Sequence, residues 1–283
     1  MISNQKDIRP SLKSKPFKPT QTILNQEIEQ AVDEINRPTT GLFISGLLAG
    51  MGMGISVFLI SVLLTLLEHV AMPVVQEILI ANAYTVGFII VILARTDLFT
   101  EYTTIAILPI LTGQASIKAL GRLWGLIYSA NLLGSIVIAL IISILGPALG
   151  VVNPAAFSTI ARSLIEHSWW IILLSSLLAG WLMGMLSWLV TAARETTSQL
   201  LFIWLITGTI GFGHLHHVIT GNIEMLVGVF AVPEISFRDY GYFLLWTTLG
   251  NVIGGFIFAV LIRYSFLITG SADNAGDAKT SQR

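Results

Sequence analysis

The sequence predicts an all-α polytopic membrane protein: six transmembrane helices arranged as two inverted three-helix repeats, with helices 2 and 5 broken. Three observations predict this class. Of the 283 residues, 54% are hydrophobic and only 11% charged, whereas a soluble domain carries roughly 25% charged residues. The apolar residues gather into six stretches, two of them interrupted by polar and glycine-rich segments. Short segments of the first half also return, in order, in the second. Leu47-Leu48-Ala49-Gly50 returns as Leu177-Leu178-Ala179-Gly180, Asp97-Leu98-Phe99-Thr100 as His217-Val218-Ile219-Thr220, and Asn131-Leu132-Leu133-Gly134 as Asn251-Val252-Ile253-Gly254.

Residues 1–38 form a polar amino-terminal segment. Within it, at 22–36, Leu24, Ile28, Ala31, Val32 and Ile35 recur at helical spacing ahead of Pro38, which predicts an amphipathic helix against the cytoplasmic face. It lies where a lid or a packing element between subunits would sit. Residues 39–267 hold the six-helix transmembrane domain. Since about 20 apolar residues cross a bilayer, its spans fall near 40–67, 78–112, 120–148, 168–191, 197–232 and 240–266. Residues 268–283 are small and polar and are expected to form a disordered cytoplasmic tail.

Loop charges orient the spans. Lys6, Arg9, Lys13, Lys15, Lys18 and Arg37 precede span one; Lys118 and Arg122, Arg194, and Arg263, Lys279 and Arg283 lie in later loops of the same side. The opposite loops hold only Arg162 and Arg238, so both termini are expected in the cytoplasm. Three crossings per half invert the second copy, and the two breaks then face each other near the midplane, a plan shared by many transport proteins.

Composition also excludes. Without cysteine there is no disulfide, thiolate metal site or thiol nucleophile, and a net charge of −1 gives no signal for nucleic acid. Gly-x-Ser-x-Gly, His-Glu-x-x-His and phosphate-loop patterns are absent from the sequence, so neither an enzyme nor a cofactor is expected. Asn153-Pro154-Ala155 spells a water-channel signature, but once only and in a loop, where Asn-Pro is ordinary turn chemistry. Glycines recur every fourth residue at Gly46, Gly50 and Gly54, at Gly180 and Gly184, and at Gly250 and Gly254. Close helix approach explains them, although Gly50 and Gly180 also suit a pore wall.

Ionisable residues at membrane depth cost at least about 2.5–3.5 kcal/mol each and are functional candidates. His217 lies in the break of span five, across from Thr100 in the break of span two. His214 and His216 beside it suit either a proton path to His217 or, with Glu224, an imidazole–carboxylate metal site of unfamiliar spacing. Arg95, Asp97 and Glu101 in the first break either neutralise one another or let Arg95 attract an anion.

These positions resemble the formate/nitrite transporter family. Leu98-Phe99-Thr100 resembles its second-helix break; Trp124, Tyr128, Asn131 and Gly134 resemble its third helix, and Leu249-Gly250-Asn251-Val252-Ile253-Gly254-Gly255 its sixth. The likeness spans 40–266 and is nearest to a little-characterised inner-membrane branch. It implies a homopentamer in the inner membrane bilayer, each aquaporin-like subunit having its own pore. It further implies a central histidine, His217, hydrogen-bonded to Thr100, between constrictions formed by Phe88 and Phe99 on one side and Ile210 on the other. The implied cargo is a small anion, or its neutral acid, moving with protons. Gly180 and Gly221 replace asparagines usual in the family, and His216, Arg95 and Asp97 replace a glutamate and small residues, so the polarity of the passage is altered. A channel for water or another neutral solute, and a membrane metal-binding protein, are the competing readings.

Overall fold

The computed structural model describes residues 17–280 other than Ala71, with side chains as far as Phe266. The basic residues Lys6, Arg9, Lys13 and Lys15, and positions 281–283, lie outside the described residues. Chain order is α1 (Thr20–Asn36), α2 (Thr39–Leu67), α3 (Pro73–Leu93), α4 (Phe99–Ile105), α5 (Leu108–Leu111), α6 (Ile117–Ala148), α7 (Pro154–Ser163), α8 (Trp169–Ala192), α9 (Thr196–Phe212), α10 (Val218–Ala231) and α11 (Phe237–Thr280).

Among the described residues, α2, α3, α6, α8 and the 237–266 part of α11 are long and apolar enough to cross a membrane. The remaining apolar material is in shorter helices, α9, α10 and the 99–111 segment. The two overlong spans of the sequence are thus each divided: α3 gives way to α4 and α5, and α9 gives way to α10. The glycine spacing does what small residues do in lipid, where backbones that touch gain dispersion contact. A Cβ placed on Gly50 would overlap the Asn131 backbone, and one on Gly180 the Asn251 backbone. Gly134 and Gly254 meet the carbonyls of Leu47 and Leu177 in the same way. Gly50 and Gly180 are therefore close-packing positions, where an added Cβ finds no room.

α2 packs on α6 and α8 on α11, while the short helices cross over: α10 lies against α2 and α6, and α4 against α8 and α11. Each short re-entering helix consequently packs on long helices from the other half of the chain. The amphipathic helix α1 buries Ile23, Leu24, Ile28, Ala31 and Ile35 on the helix bundle, with contacts to α4, α5, α6 and α8. Glu27, on the same buried face, was not anticipated.

Two elements depart from expectation. The Asn153-Pro154 loop opens a helix: Asn153 Oδ1 accepts from Ala155 N at 3.1 Å, with Pro154 as the first helical residue. Proline is pre-organised at that position, and the amphipathic α7 then buries Phe157 and Ile160. The backbone of α11 runs helical to Thr280, past residue 268 where a disordered tail was expected. Alanines 272, 275 and 278 favour helix there and no proline interrupts it.

Candidate functional site

The two breaks are built alike. α3 ends at Leu93, Arg95 turns the chain with φ +55°, and Thr96 N donates to Val91 O at 3.1 Å. α9 ends at Phe212, His214 turns the chain with φ +48°, and Leu215 N donates to Ile210 O at 3.0 Å. Next, Asp97 N donates to Ser45 Oγ and His216 N to Ser175 Oγ, each at 3.1 Å. The chain then re-enters helix at the caps Leu98 and His217. Structurally His217 therefore corresponds to Leu98, one position from the sequence match to Asp97, which was drawn off register by the chance identity of Thr100 and Thr220.

An asparagine pins each break. Asn131 Oδ1 accepts from Phe99 N at 2.8 Å, and Nδ2 donates to Gly46 O and Asp97 O at 2.7 and 2.9 Å. Asn251 Oδ1 accepts from Val218 N at 2.8 Å, and Nδ2 donates to Ser176 O and His216 O at 2.7 and 3.0 Å. In each set the amide and one carbonyl, Phe99 N with Asp97 O and Val218 N with His216 O, are groups that the break leaves without a helical partner; the second carbonyl ties the asparagine to α2 or α8. In the sequence Asn131 and Asn251 stand out only as repeat-related residues of helices three and six, where helix packing is their expected role. Ser45 and Ser175 were missed, although the first repeat extends one match further to include them.

His217 is where the breaks meet. Its Nε2 lies 2.8 Å from Thr100 Oγ1, at the start of α4, and its Nδ1 accepts from Thr220 N at 3.3 Å as the cap of α10. A backbone N–H can only donate, so Nδ1 is the unprotonated nitrogen and Nε2 carries the hydrogen, donated to Thr100. The ring is buried, with the Phe88 ring edge-on at 4.9 Å. Phe88 in turn stacks toward Tyr84 at 5.3 Å. Phe99 sits apart from this group, 4.6 Å from the Tyr128 ring and 6.2 Å from that of Trp124. Ile210 is fully buried on α9.

The other histidines diverge. His214 Nε2 pairs with Glu77 at 3.0 Å on the surface, while His216 holds Ser175 Oγ through Nδ1 at 2.9 Å and the Leu164 carbonyl through Nε2 at 3.1 Å. Neither ring joins His217, and no group of three metal-ligating side chains occurs among the described residues. Glu224 is buried one turn beyond Thr220. A Cβ at Gly221 would strike the Phe243 ring, so this glycine too is a packing position.

Arg95, Asp97 and Glu101 do not neutralise one another. Asp97 pairs with Arg37 at 3.0 Å and accepts from the Tyr102 hydroxyl at 2.9 Å, and Arg37 also holds Glu34 at 3.1 Å. The sequence places Arg37 outside the spans, so only the docking of α1 reveals it as the partner of Asp97. Arg95 and Glu101 instead line a cavity of about 460 Å³ bounded by α1, the α3–α4 break, α8 and α9. A separate small cavity of about 10 Å³ shares Ile92 and Glu101 with it and is lined further by Met183 and Leu186, room for roughly one water.

An all-helical, apolar protein whose two broken elements converge on one buried histidine belongs to the class of membrane channels and transporters, not enzymes. The family described as Formate/nitrite transporter matches residues 21–265, and the chain belongs to it. It is 32% identical to the inner membrane protein YfdC of Escherichia coli (strain K12) over 81% of this chain and 73% of that one. Identity to the nitrite transporter NirC of Salmonella typhimurium is 26%, over 77% and 80%. Among solved structures, an FNT family ion channel superposes with a TM-score of 0.75 at 21% identity, over 88% of this chain and 99% of that one. A pentameric formate channel with formate bound gives 0.71 at 21% identity, over 81% and 98%.

Proposed function

We propose that this protein carries a small monovalent weak-acid anion, of the formate or nitrite kind, together with a proton, and that His217 is the group at which the two are coupled. The observation that carries the reading is the 2.8 Å contact of His217 Nε2 with Thr100 Oγ1 at the junction of the two breaks, closed on one side by the Phe88 ring. An anion pays heavily to leave water for a passage walled by phenylalanine and isoleucine, whereas a neutral weak acid does not. Phe88, Phe99 and Ile210 form that wall in this reading. Thr100 accepts the Nε2 hydrogen, which leaves its own hydroxyl hydrogen to meet the anion. Histidine suits the exchange because its unperturbed pKa is about 6.5.

The relatives named as nitrite transporters and the neighbour described as a formate channel support the substrate class. In the same reading the subunit consists of two inverted three-helix repeats, supported by the paired contacts of Asn131 and Asn251, and five subunits assemble in the inner membrane. Both termini face the cytoplasm, residues 1–38 lying on that side of a transport domain at 39–267.

The test is uptake of formate, nitrite, acetate and lactate into proteoliposomes with internal pH recorded, for the wild type and His217→Ala, across about pH 5 to 8, the range in which histidine titrates. Proton-linked uptake that loses its pH dependence in the variant supports the reading. Equal flux by both proteins at every pH overturns the role of His217, and flux of neutral solutes alone overturns the choice of anion.

A further inference from the structure

Glu224 sits inside the helix bundle with nothing to neutralise it. It is 8% exposed and, among the described residues, makes neither an ion pair nor a hydrogen bond. A carboxylate buried without a partner is costly. Its place on α10 gives it a use. His217, Thr220 and Glu224 stand at i, i+3 and i+7 and share one face of the helix. Thr220 and Glu224, four apart, have Cβ atoms about 5–6 Å from each other. Helical side chains lean toward the amino terminus, so Glu224 leans over Thr220 in the direction of His217. Tyr84 of α3, beside Phe88, covers the same face: its hydroxyl shares a hydrogen bond with Thr220 and feels the charge of Glu224.

Thr220 joins the two ends. Its Oγ1 lies 3.2 Å from His217 Nδ1, the nitrogen without a hydrogen, so the hydroxyl donates to that nitrogen. Charging the ring puts a hydrogen on Nδ1. The Thr220 hydroxyl must then accept, and its own hydrogen must turn to another acceptor. The Thr220 N–H, 3.3 Å away, opposes the added hydrogen, and the rest of the ring's surroundings, Thr100 and Phe88, carry no charge. A buried charge is repaid only by an opposite charge with matching hydrogen bonds. The Glu224 carboxylate offers both.

Other ionisable groups near by are engaged elsewhere. His216 is turned to Ser175 and Leu164. Of the helices packed on α10, α2 carries no ionisable side chain. On the others, Tyr102 bonds to Asp97, Tyr128 to Thr248, Arg162 to Ser158, Asp239 to Ser236 and Tyr240 to Asn222. Glu101 faces the cavity under α1, and Lys118, Arg122 and Arg238 are exposed.

We propose that Glu224, acting across Thr220, is the counter-charge that allows His217 to hold a second hydrogen, which makes it a positioning residue for proton coupling. The inference rests on the transport reading for its use, though not for the pairing itself. The step is the gain of one hydrogen ion from water at Nδ1: the neutral ring becomes an imidazolium, the Thr220 hydroxyl turns to the carboxylate, and the pair is neutral overall.

The test reads the ring directly. Nitrogen NMR of isotope-labelled histidine in the full chain in detergent follows the second hydrogen across about pH 5 to 8, the range in which histidine titrates. Loss of one signal in His217→Asn identifies the ring. The wild-type ring is expected to gain its hydrogen within that range. Glu224→Gln keeps the shape without the charge and is expected to move the change toward acid by about one pH unit or more, as loss of an opposite charge within about 4–6 Å does. Thr220→Val is expected to do the same and Thr220→Ser to leave it in place. Formate uptake at neutral pH should fall about tenfold in Glu224→Gln, the equivalent of one pH unit. A ring unmoved in both Glu224→Gln and Thr220→Val, or a wild-type ring that never gains the hydrogen while uptake stays proton-linked, overturns the pairing and leaves the transport reading standing. A ring that shifts with Glu224 in a protein whose anion uptake carries no proton supports the pairing and overturns the transport reading.

Discussion

Asn131 and Asn251 make the same three hydrogen bonds at two places in the molecule: each accepts from the first amide of a re-entering helix, Phe99 or Val218, and donates to two carbonyls. One carbonyl belongs to the preceding break and the other to the first long helix of its half. Both side chains are fully buried. Replacing either by alanine orphans two buried backbone groups of the break, the amide of Phe99 or Val218 and the carbonyl of Asp97 or His216, each worth about 1–3 kcal/mol; the carbonyls of Gly46 and Ser176 keep their partners within α2 and α8. Asn131→Ala and Asn251→Ala are expected to lower the thermal midpoint in detergent strongly and by similar amounts, whereas Asn82→Ala, at an exposed position, is expected to do so little. A harmless Asn251→Ala would show that the second break is held by something else.

His217 and Thr100 offer a test confined to one hydrogen. Thr100→Ser keeps an acceptor for the Nε2 hydrogen 2.8 Å away; Thr100→Val has the right shape but leaves that buried N–H unpaired, at about 1–3 kcal/mol. Nitrite uptake is expected to survive in the serine variant and to fall by about tenfold in the valine variant, the size of a 1.4 kcal/mol loss. Equal rates for serine and valine would remove the hydroxyl from the mechanism.

Glu27 predicts how α1 responds to pH. Burial between α1 and α8 pushes its carboxyl up to about 8 from the ordinary 4.5, against the Ser187 hydrogen bond at 3.1 Å and with the charge of Glu101 adding to the rise. The folded state therefore binds a proton that the unfolded state has released between those values. Stability contributed by this group is complete below about pH 4.5, declines as pH climbs to about 8, and is flat above. Limited proteolysis of the α1–α2 junction is expected to quicken as pH rises from about 4.5 to about 8 and to level off above. Glu27→Gln should abolish the dependence; a variant that kept it would assign the effect to another group.

Gly180 distinguishes packing from pore. Family resemblance suggests restoring an asparagine there, but the direction of its Cβ meets the Asn251 backbone. Gly180→Ala is expected to cost about 1–3 kcal/mol through overpacking, and Gly180→Asn to give little folded protein by gel filtration in detergent. A stable Gly180→Asn with altered selectivity would return this position to the passage.

Arg37 links α1 to the first break. Removing it leaves Asp97, 2% exposed, with only Tyr102 as a side-chain partner. The cost of Arg37→Ala is expected near 1–3 kcal/mol, less than for a fully buried pair because Arg37 is itself half exposed. Thermal melts of Arg37→Ala beside Arg37→Lys measure it, and indistinguishable midpoints for Arg37→Ala and the wild type would make the pair ornamental.

Much of this architecture is visible in the residues because its causes are local. A run of apolar residues reports membrane depth wherever it occurs, glycines four apart report a helix seam, and polar residues within such a run report a break. The duplicated segments locate both breaks to within one residue, the error arising from one coincidental threonine match. The partners of the charged groups were not visible in this way. Arg37 meets Asp97, Glu27 meets Ser187, and the three adjacent histidines turn to Glu77, Leu164 and Thr100.

By itself, then, the sequence determined the helical class, the long helices, the interrupted segments and the seams, and placed His217 in the second break. Tertiary structure alone decided which nitrogen of His217 carries its hydrogen, that Gly180 and Gly221 pack closely on Asn251 and Phe243, and that Arg37, not Arg95, pairs with Asp97. The reason is physical: hydrophobic periodicity and backbone sterics act between near neighbours in the chain. Hydrogen bonds and ion pairs here join residues up to 173 positions apart, and their geometry exists only once the helices have packed.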